Sequence, residues 1–230
     1  MSRLVVVTGG TRGIGAAIAD RFRSQGDTVL APGRAECDVT DEDAVEAYFA
    51  SAGPVDVLVN NAGISSSAPV SRTSLDDWRA QFEVNATGAF LCTRAVVSGM
   101  RSRDSGRIVT VASTASHVGY RYTAGYTASK HAAVGFMRAV AAELAGTGVT
   151  ANAVCPAFVR TDMTASSVAR IVSRSGRSTS DAEAALAAAS PLGRLLEPAE
   201  VAFAVTFLAA PEAAAINGQT LVLDGGGIQS

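Results

Sequence analysis

Tyr126 and Lys130 stand four residues apart in the run Ser113–Lys130, S-T-A-S-H-V-G-Y-R-Y-T-A-G-Y-T-A-S-K. On a helix that spacing stacks both side chains on one face, one turn apart. A free phenol loses its proton near pH ~10. An ammonium beside it favours the phenolate and is expected to lower that value toward neutrality, where acid–base catalysis works best. Ser113 follows the apolar run Ile108-Val109-Thr110-Val111-Ala112. It would set a hydroxyl at the C-terminal end of a strand, where open parallel sheets place their ligands. Lys130 is the single lysine among 19 basic residues, which points to a position that needs an ammonium's compact charge rather than a guanidinium fork. A surface Tyr–Lys helix pair has the same spacing, so the elements around it must decide.

Leu4–Val7 is a short continuous apolar run, the pattern of a strand buried on both faces. Thr8-Gly9-Gly10-Thr11-Arg12-Gly13-Ile14-Gly15 follows, and Ala16–Ser24 reads as a helix. Strand, glycine turn and helix make a phosphate cradle, because glycines let backbone N–H groups and a helix N-terminus approach a pyrophosphate. The glycines fall at 9, 13 and 15, so the usual G-x-G-x-x-G spacing is not met. A second strand, Thr28–Ala31, runs into Pro32-Gly33-Arg34. At the end of this strand a carboxylate holds a ribose 2′-hydroxyl, whereas an arginine accommodates a 2′-phosphate. Arg34, flanked by Arg12, therefore favours NADP(H). Glu36 would reverse the preference to NAD(H) if it faces the ribose instead. The short step from Arg34 to Asp38 leaves no room for a helix, and the next helical pattern is Asp41–Ala52.

Val55–Val59 is a third strand ending in Asn60-Asn61-Ala62-Gly63, amides and a glycine that can satisfy backbone groups and let a ligand ring come close. Leu75–Met100 reads as one long helix with Asn85 inside it. Arg107–Ala112 is the strand before Ser113, and Ala124–Leu144 the helix carrying Tyr126 and Lys130. Val149–Val154 leads to Cys155-Pro156-Ala157. Residues 158–196 carry no strand and only weak helical signal, as expected for a lid or binding loop. Glu200–Ala210 is a helix introduced by Pro198, and Thr220–Leu223 a last strand before Asp224-Gly225-Gly226-Gly227. Strands alternating with helices predict an α/β fold: a single-domain, doubly wound parallel sheet (Rossmann fold) over residues 1–230.

Composition narrows the functional classes. Apolar residues make up 48% and charged residues 17% of the 230, which argues against disorder. A net charge of −2 gives no basic field for nucleic acid or an anionic membrane. The N-terminal apolar run Leu4–Val7 is too short for a signal peptide, and no stretch reaches membrane-spanning length without charge or glycine. Cys37, Cys92 and Cys155 show no C-x-x-C spacing and read as reduced thiols of a cytoplasmic protein. With His117 and His131 the only histidines, no metal is expected.

Taken in order, Thr8-Gly9-x-x-x-Gly13-Ile14-Gly15, Asn60-Asn61-Ala62-Gly63, Asn85, Ser113, Tyr126-x-x-x-Lys130 and Asp224-Gly225-Gly226 resemble the short-chain dehydrogenase/reductase family over essentially the whole chain. Ala112-Ser113-Thr114, Tyr126–His131 and Asn152-Ala153-Val154-Cys155-Pro156 are similar to ketoreductases of bacterial aromatic polyketide pathways and to 3-oxoacyl-thioester reductases. The resemblance implies that Tyr126 is the general acid and that Lys130 tunes it and holds the nicotinamide ribose. It implies that Ser113 polarises the substrate carbonyl and that Asn85 fixes a water leading to Lys130. It also implies that Gly9, Thr11, Arg12, Gly13, Ile14, Gly15, Arg34, Asp38, Val39, Asn61, Ala62, Gly63, Pro156, Val159 and Thr161 join Tyr126 and Lys130 around the cofactor. Asp38 and Val39 would meet the adenine and Thr161 the carboxamide. Ala157 stands where the family usually has glycine.

The reaction expected is NADPH-dependent reduction of a 3-oxoacyl thioester or polyketide-like ketone. Arg170, Arg174 and Arg177 are candidates for a CoA or carrier-protein pantetheine phosphate, with solvated lid arginines as the alternative. NAD-dependent oxidation of a secondary alcohol or 3-hydroxyacyl-CoA is the competing enzyme reading, and a nucleotide-sensing protein without catalysis the third. A homotetramer built through residues 76–100, 124–144 and the last strand is the expected assembly.

Overall fold

The computed structural model describes residues 2–229, so residues 1 and 230, the outer bounds of the expected domain, lie outside the described residues. One six-stranded parallel sheet carries the chain, in the order β2-β1-β3-β4-β5-β6. β1 (Leu4–Val7) leads to α1 (Gly13–Ser24), β2 (Thr28–Leu30), α2 (Glu42–Ala52) and β3 (Val57–Asn60). α3 (Leu75–Phe82), a π-helical turn (Glu83–Thr87) and α4 (Gly88–Ser102) precede β4 (Gly106–Val111). α5 (Ala124–Glu143), β5 (Val149–Pro156), α6 (Asp162–Ser175), α7 (Thr179–Ala187), α8 (Pro198–Leu208) and β6 (Thr220–Leu223) complete it.

The central strands are buried on both faces and rich in valine, as parallel strands covered by helices must be. One apolar layer puts α2, α4 and α5 against the sheet through Val45, Phe49, Leu91, Met100, Val134 and Met137. The other puts α1 and α8 there through Ile18, Phe22, Val201 and Val205. The chain leaves β1 toward β2 on one side and returns to β3 on the other. This reversal opens a crevice at the carboxyl ends of β1 and β3, the usual ligand site of an open α/β sheet. No helix among the described residues is long and apolar enough to cross a membrane.

Two expectations change. Leu75–Met100 is not one helix: α3 ends at Phe82 and α4 begins at Gly88, with the wide π turn between them. The apolar pattern runs on through the turn, so a slip of one residue in helical phase leaves no mark in composition. Residues 158–196 hold no strand, only an isolated bridge from Val159 to Leu196, but they contain two well-formed helices. Thr161 and Ser178 cap α6 and α7 by accepting from the N–H groups of Thr164 and Asp181. Alanines hid α7, because alanine forms helix readily without an apolar stripe; α6 does carry an apolar side, with Val168 buried, among serines that form helix less readily.

Candidate active site

The crevice is built around the turn after β1. Gly9 and Gly13 hold φ of +62° and +55°, the left-handed region that favours glycine. A Cβ at Gly10 would come within 2.6 Å of the Ala31 methyl, and one at Gly15 within 2.5 Å of Asn61 Nδ2. Asn61 Nδ2 donates to the carbonyls of Thr8 (2.9 Å) and Gly9 (3.1 Å), fixing the turn from the end of β3. Thr8 Oγ1 accepts from the Asn61 and Ala62 N–H groups, both at 3.1 Å. At the N-terminus of α1, Arg12 provides no side-chain cap. The first N–H groups of that helix therefore remain available to an anion, with the helix dipole behind them. A side-chain-free cradle beneath an uncapped helix fits a dinucleotide pyrophosphate.

The adenosine end is more open. Arg34 is 87% exposed and pairs with Asp38 at 2.9 Å, and Arg12 pairs loosely with Asp162 at 3.6 Å. Asp38 also accepts from the backbone and hydroxyl of Thr40, which hold its carboxyl below the usual range. Val39 is buried against Gly88. Glu36 turns back so that its carboxylate accepts from the Gly33 N–H at 2.9 Å, beside Thr11. No helix forms between β2 and α2, as the spacing requires. Across the crevice, Thr161 packs at the position where Gly13 would carry a Cβ, while Pro156 closes β5 and Val159 is buried behind it.

Ser113 leaves the end of β4 and accepts from the Ala115 N–H at 3.1 Å. Its hydroxyl lies on the side of the Tyr126 phenol and favours the ionised form of that group. Lys130 Nζ sits 5.9 Å from the Tyr126 ring centre and donates to the Val111 carbonyl at 3.0 Å. Helical spacing and the end of β4 thus bring Ser113, Tyr126 and Lys130 together. The electrostatics differ from expectation. The Tyr126 pKa is not drawn toward neutrality: burial pushes the phenol up, and the nearby Ser113 hydroxyl opposes this without reversing it. Tyr126 as a whole is half-buried. Burial also pulls Lys130 down to about 8.

Asn85 lies in the π turn, buried, facing the same group. Its Oδ1 accepts from the Ile64 N–H (2.9 Å), and its Nδ2 donates to the Ile64 carbonyl (3.0 Å) and to Ser129 Oγ (2.9 Å). Ser129 Oγ in turn donates to the Tyr126 carbonyl at 2.8 Å. The amide therefore ties the loop after β3 to the helix of Tyr126. A Cβ on Gly63 would stand 3.1 Å from Asn85 Oδ1 and 3.5 Å from Lys130 Nζ, so Gly63 keeps the approach to the lysine open.

Above this floor, α6 and α7 form a cap. Arg170 donates to Ser67 Oγ at 2.9 Å and Arg174 to the Ser67 carbonyl at 3.4 Å, tying α6 across to the loop after β3. Arg177 stays exposed. The opposite face of α6 borders a cavity of about 380 Å³ lined by Thr161, Thr164, Val168, Val172, Glu183 and Leu195. Serial sequence spacing gave no signal for Ser67, Ile64 or Ser129, because their roles depend on a loop and on the far side of a helix.

Known proteins resemble this chain in sequence and fold. The family model described as Enoyl-(Acyl carrier protein) reductase matches residues 31–227. A putative ketoacyl reductase of Streptomyces coelicolor (strain ATCC BAA-471 / A3(2) / M145) is 39% identical over 252 residues, covering 98% of this chain and 97% of that protein. An acetoacetyl-CoA reductase of Shinella zoogloeoides is 38% identical over 247 residues, with 98% of each covered. Among solved structures, a variant of actinorhodin polyketide ketoreductase with NADPH superposes with a TM-score of 0.89 at 37% identity, covering 98% of this chain and 97% of that one. With sequence, fold and crevice in agreement, the chain belongs to the short-chain dehydrogenase/reductase family of oxidoreductases.

Proposed function

We propose that this protein is an NADPH-dependent ketone reductase acting on a 3-oxoacyl thioester or a polyketide-like ketone. The observation that carries the reading is the juxtaposition of the Ser113 and Tyr126 side chains at the end of β4, with a buried ammonium one helical turn away. When bound, NADPH supplies the hydride. Ser113 donates to the substrate carbonyl oxygen and fixes its position. Tyr126, held protonated by burial, delivers its phenolic proton to that oxygen as negative charge develops there. Lys130 carries the positive charge that offsets the phenolate left behind. The cradle of Gly9, Gly13 and Gly15 holds the pyrophosphate, and Thr161 and Pro156 border the nicotinamide side. The names of the similar proteins, a ketoacyl reductase and an acetoacetyl-CoA reductase, support a thioester substrate.

Residues 1–230 form one catalytic domain in this reading, with 158–196 as its lid, in a cytoplasmic protein. The half-exposed Phe90 on α4, stacked edge-on with Phe136 of α5, supports subunit contacts through those helices in a homotetramer.

The place of Glu36 favours a second reading. Its carboxylate, not the guanidinium of Arg34, lies beside Thr11 at the end of β2, where an acid receives a ribose 2′-hydroxyl. That arrangement suits NAD(H) and an alcohol dehydrogenase. Oxidation of NADPH and of NADH by acetoacetyl-CoA, with Tyr126→Phe alongside, separates the two. Turnover with NADPH that falls about 10³-fold in Tyr126→Phe is expected. A preference for NADH establishes the Glu36 reading, and undiminished turnover by Tyr126→Phe would falsify the assignment of the acid.

A further inference from the structure

Gln81 is the buried residue of α3, 2% exposed. A buried amide is unfavourable unless its polar atoms are bonded. Its Oε1 accepts from the Ser66 N–H at 3.1 Å, and its Nε2 donates to the Asp77 carbonyl at 3.2 Å. Nε2 also lies 2.7 Å from the point where a Cβ on Gly125 would stand. The amide therefore rests on the bare backbone of Gly125, the second residue of α5 and the one before Tyr126.

Asn85 follows Gln81 by four residues, as Ser129 follows Gly125 and Lys130 follows Tyr126. Each amide thus serves one turn of α5. Asn85 takes the Ile64 N–H and reaches Ser129, the neighbour of Lys130. Gln81 takes the Ser66 N–H and covers Gly125, the neighbour of Tyr126. Residues 64 and 66 are bonded as alternate residues of a strand are. The two turns differ in what else holds them. Lys130 is tied to Val111 on β4, whereas Thr123, at the start of α5, makes no side-chain cap. An uncapped helix start frays unless something outside holds it. Just before it, Tyr122 sits at φ +69°, a strained value for a bulky residue, and its carbonyl accepts from the Ala68 N–H at 2.8 Å. Segment 64–68 and Gln81 are therefore what brace the turn that carries Tyr126.

We propose that Gln81 is a positioning residue for Tyr126: its amide clamps the loop after β3 to the first turn of α5, as Asn85 does for the turn of Lys130. Proton delivery depends on where the phenol stands, and a small displacement of its helix turn is felt in the rate. The absence of a side chain at position 125 belongs to the same device, because it leaves the space that the amide fills.

This inference rests on Tyr126 acting as the acid proposed above, and its test separates the two. Gln81→Leu keeps the bulk and removes the acceptor of the Ser66 N–H. Amide hydrogen exchange, read by NMR on the cofactor-free protein, should quicken about five- to tenfold at residues 127–129, the scale of one hydrogen bond. Their N–H groups close the first turn of α5. Exchange over residues 134–143 should hold. Unchanged exchange at 127–129 overturns the proposal regardless of activity. With acetoacetyl-CoA, kcat should fall by a similar factor while Kd for NADPH stays constant. An equal loss of NADPH affinity would show that Gln81 serves the fold alone. Gly125→Ala reaches the same contact from the other side. Its methyl meets the far end of a flexible side chain, so the amide moves and the backbone need not. Alanine favours helix, so Tm should hold or rise while kcat falls. Where Tyr126→Phe is impaired, full kcat in either variant overturns the proposal. Should Tyr126→Phe keep full activity while Gln81→Leu quickens exchange, the acid assignment fails and the clamp on the helix stands.

Discussion

The floor of the crevice and the cap above it are held by different physics. In the floor, Asn85, Ser129 and Lys130 are at most 5% exposed and joined by hydrogen bonds of 2.8–3.0 Å to backbone and to one another. In the cap, Arg160 and Arg194 form ion pairs with Glu183, Glu197 and Glu200 while about half exposed. Arg170 and Arg174 are the cap arginines that reach across to the floor. Water competes for these ion pairs and for almost none of the contacts in the floor, so the floor is held more firmly than the outer surface of the cap.

Breaking the floor should have the largest effect. Ser129→Val removes the acceptor of Asn85 Nδ2 in a fully buried setting. It is expected to lower stability by about 1–3 kcal/mol and to reduce kcat with it, as read by denaturant unfolding and turnover. Next comes the lysine. The folded protein releases the Lys130 proton at about 8, against 10.5 for the ordinary side chain. Between those values the unfolded chain binds more protons, so raising the pH favours the folded state. The cofactor-free wild type should therefore gain stability relative to Lys130→Met from pH 8 to 10.5, and a flat difference would show that the ammonium is not desolvated.

In the cap, Arg170→Ala loses one contact to Ser67. KM for the ketone should change about two- to fivefold, the scale of one partly exposed hydrogen bond, with kcat and Tm nearly constant. A large fall in kcat would instead make the cap part of the catalytic floor. The smallest effect is expected for Arg160→Ala, whose partners are solvent-exposed glutamates. Its thermal unfolding curve should overlay the wild type.

The sequence was readable where chemistry depends on residue type at fixed spacing. Tyr126 and Lys130 meet because a helix brings i and i+4 together, and Ser113 joins them because a strand ends beside that helix. The glycine turn was readable because only glycine tolerates φ near +60° and the close approach of Asn61. The direction of the Tyr126 pKa was not, because a sequence shows which charge is near but not how much water is excluded. The cap helix α7 was obscured by alanine, which packs little and so leaves no apolar stripe. Glu36 reached Gly33 by a reversal of the chain that no spacing rule anticipates.

The π turn at Glu83–Thr87 acts as a gear offset between two rods. It adds one residue to a helical turn, so α4 meets the sheet about 100° away from where an unbroken continuation of α3 would place it. Leu91, Cys92, Val96 and Met100 point into the core with that offset in place. Deleting a single residue there would give a more regular helix and a mis-set one, with its apolar edge rotated into solvent. The irregularity is therefore a timing element, and the length of this segment is constrained more tightly than its composition.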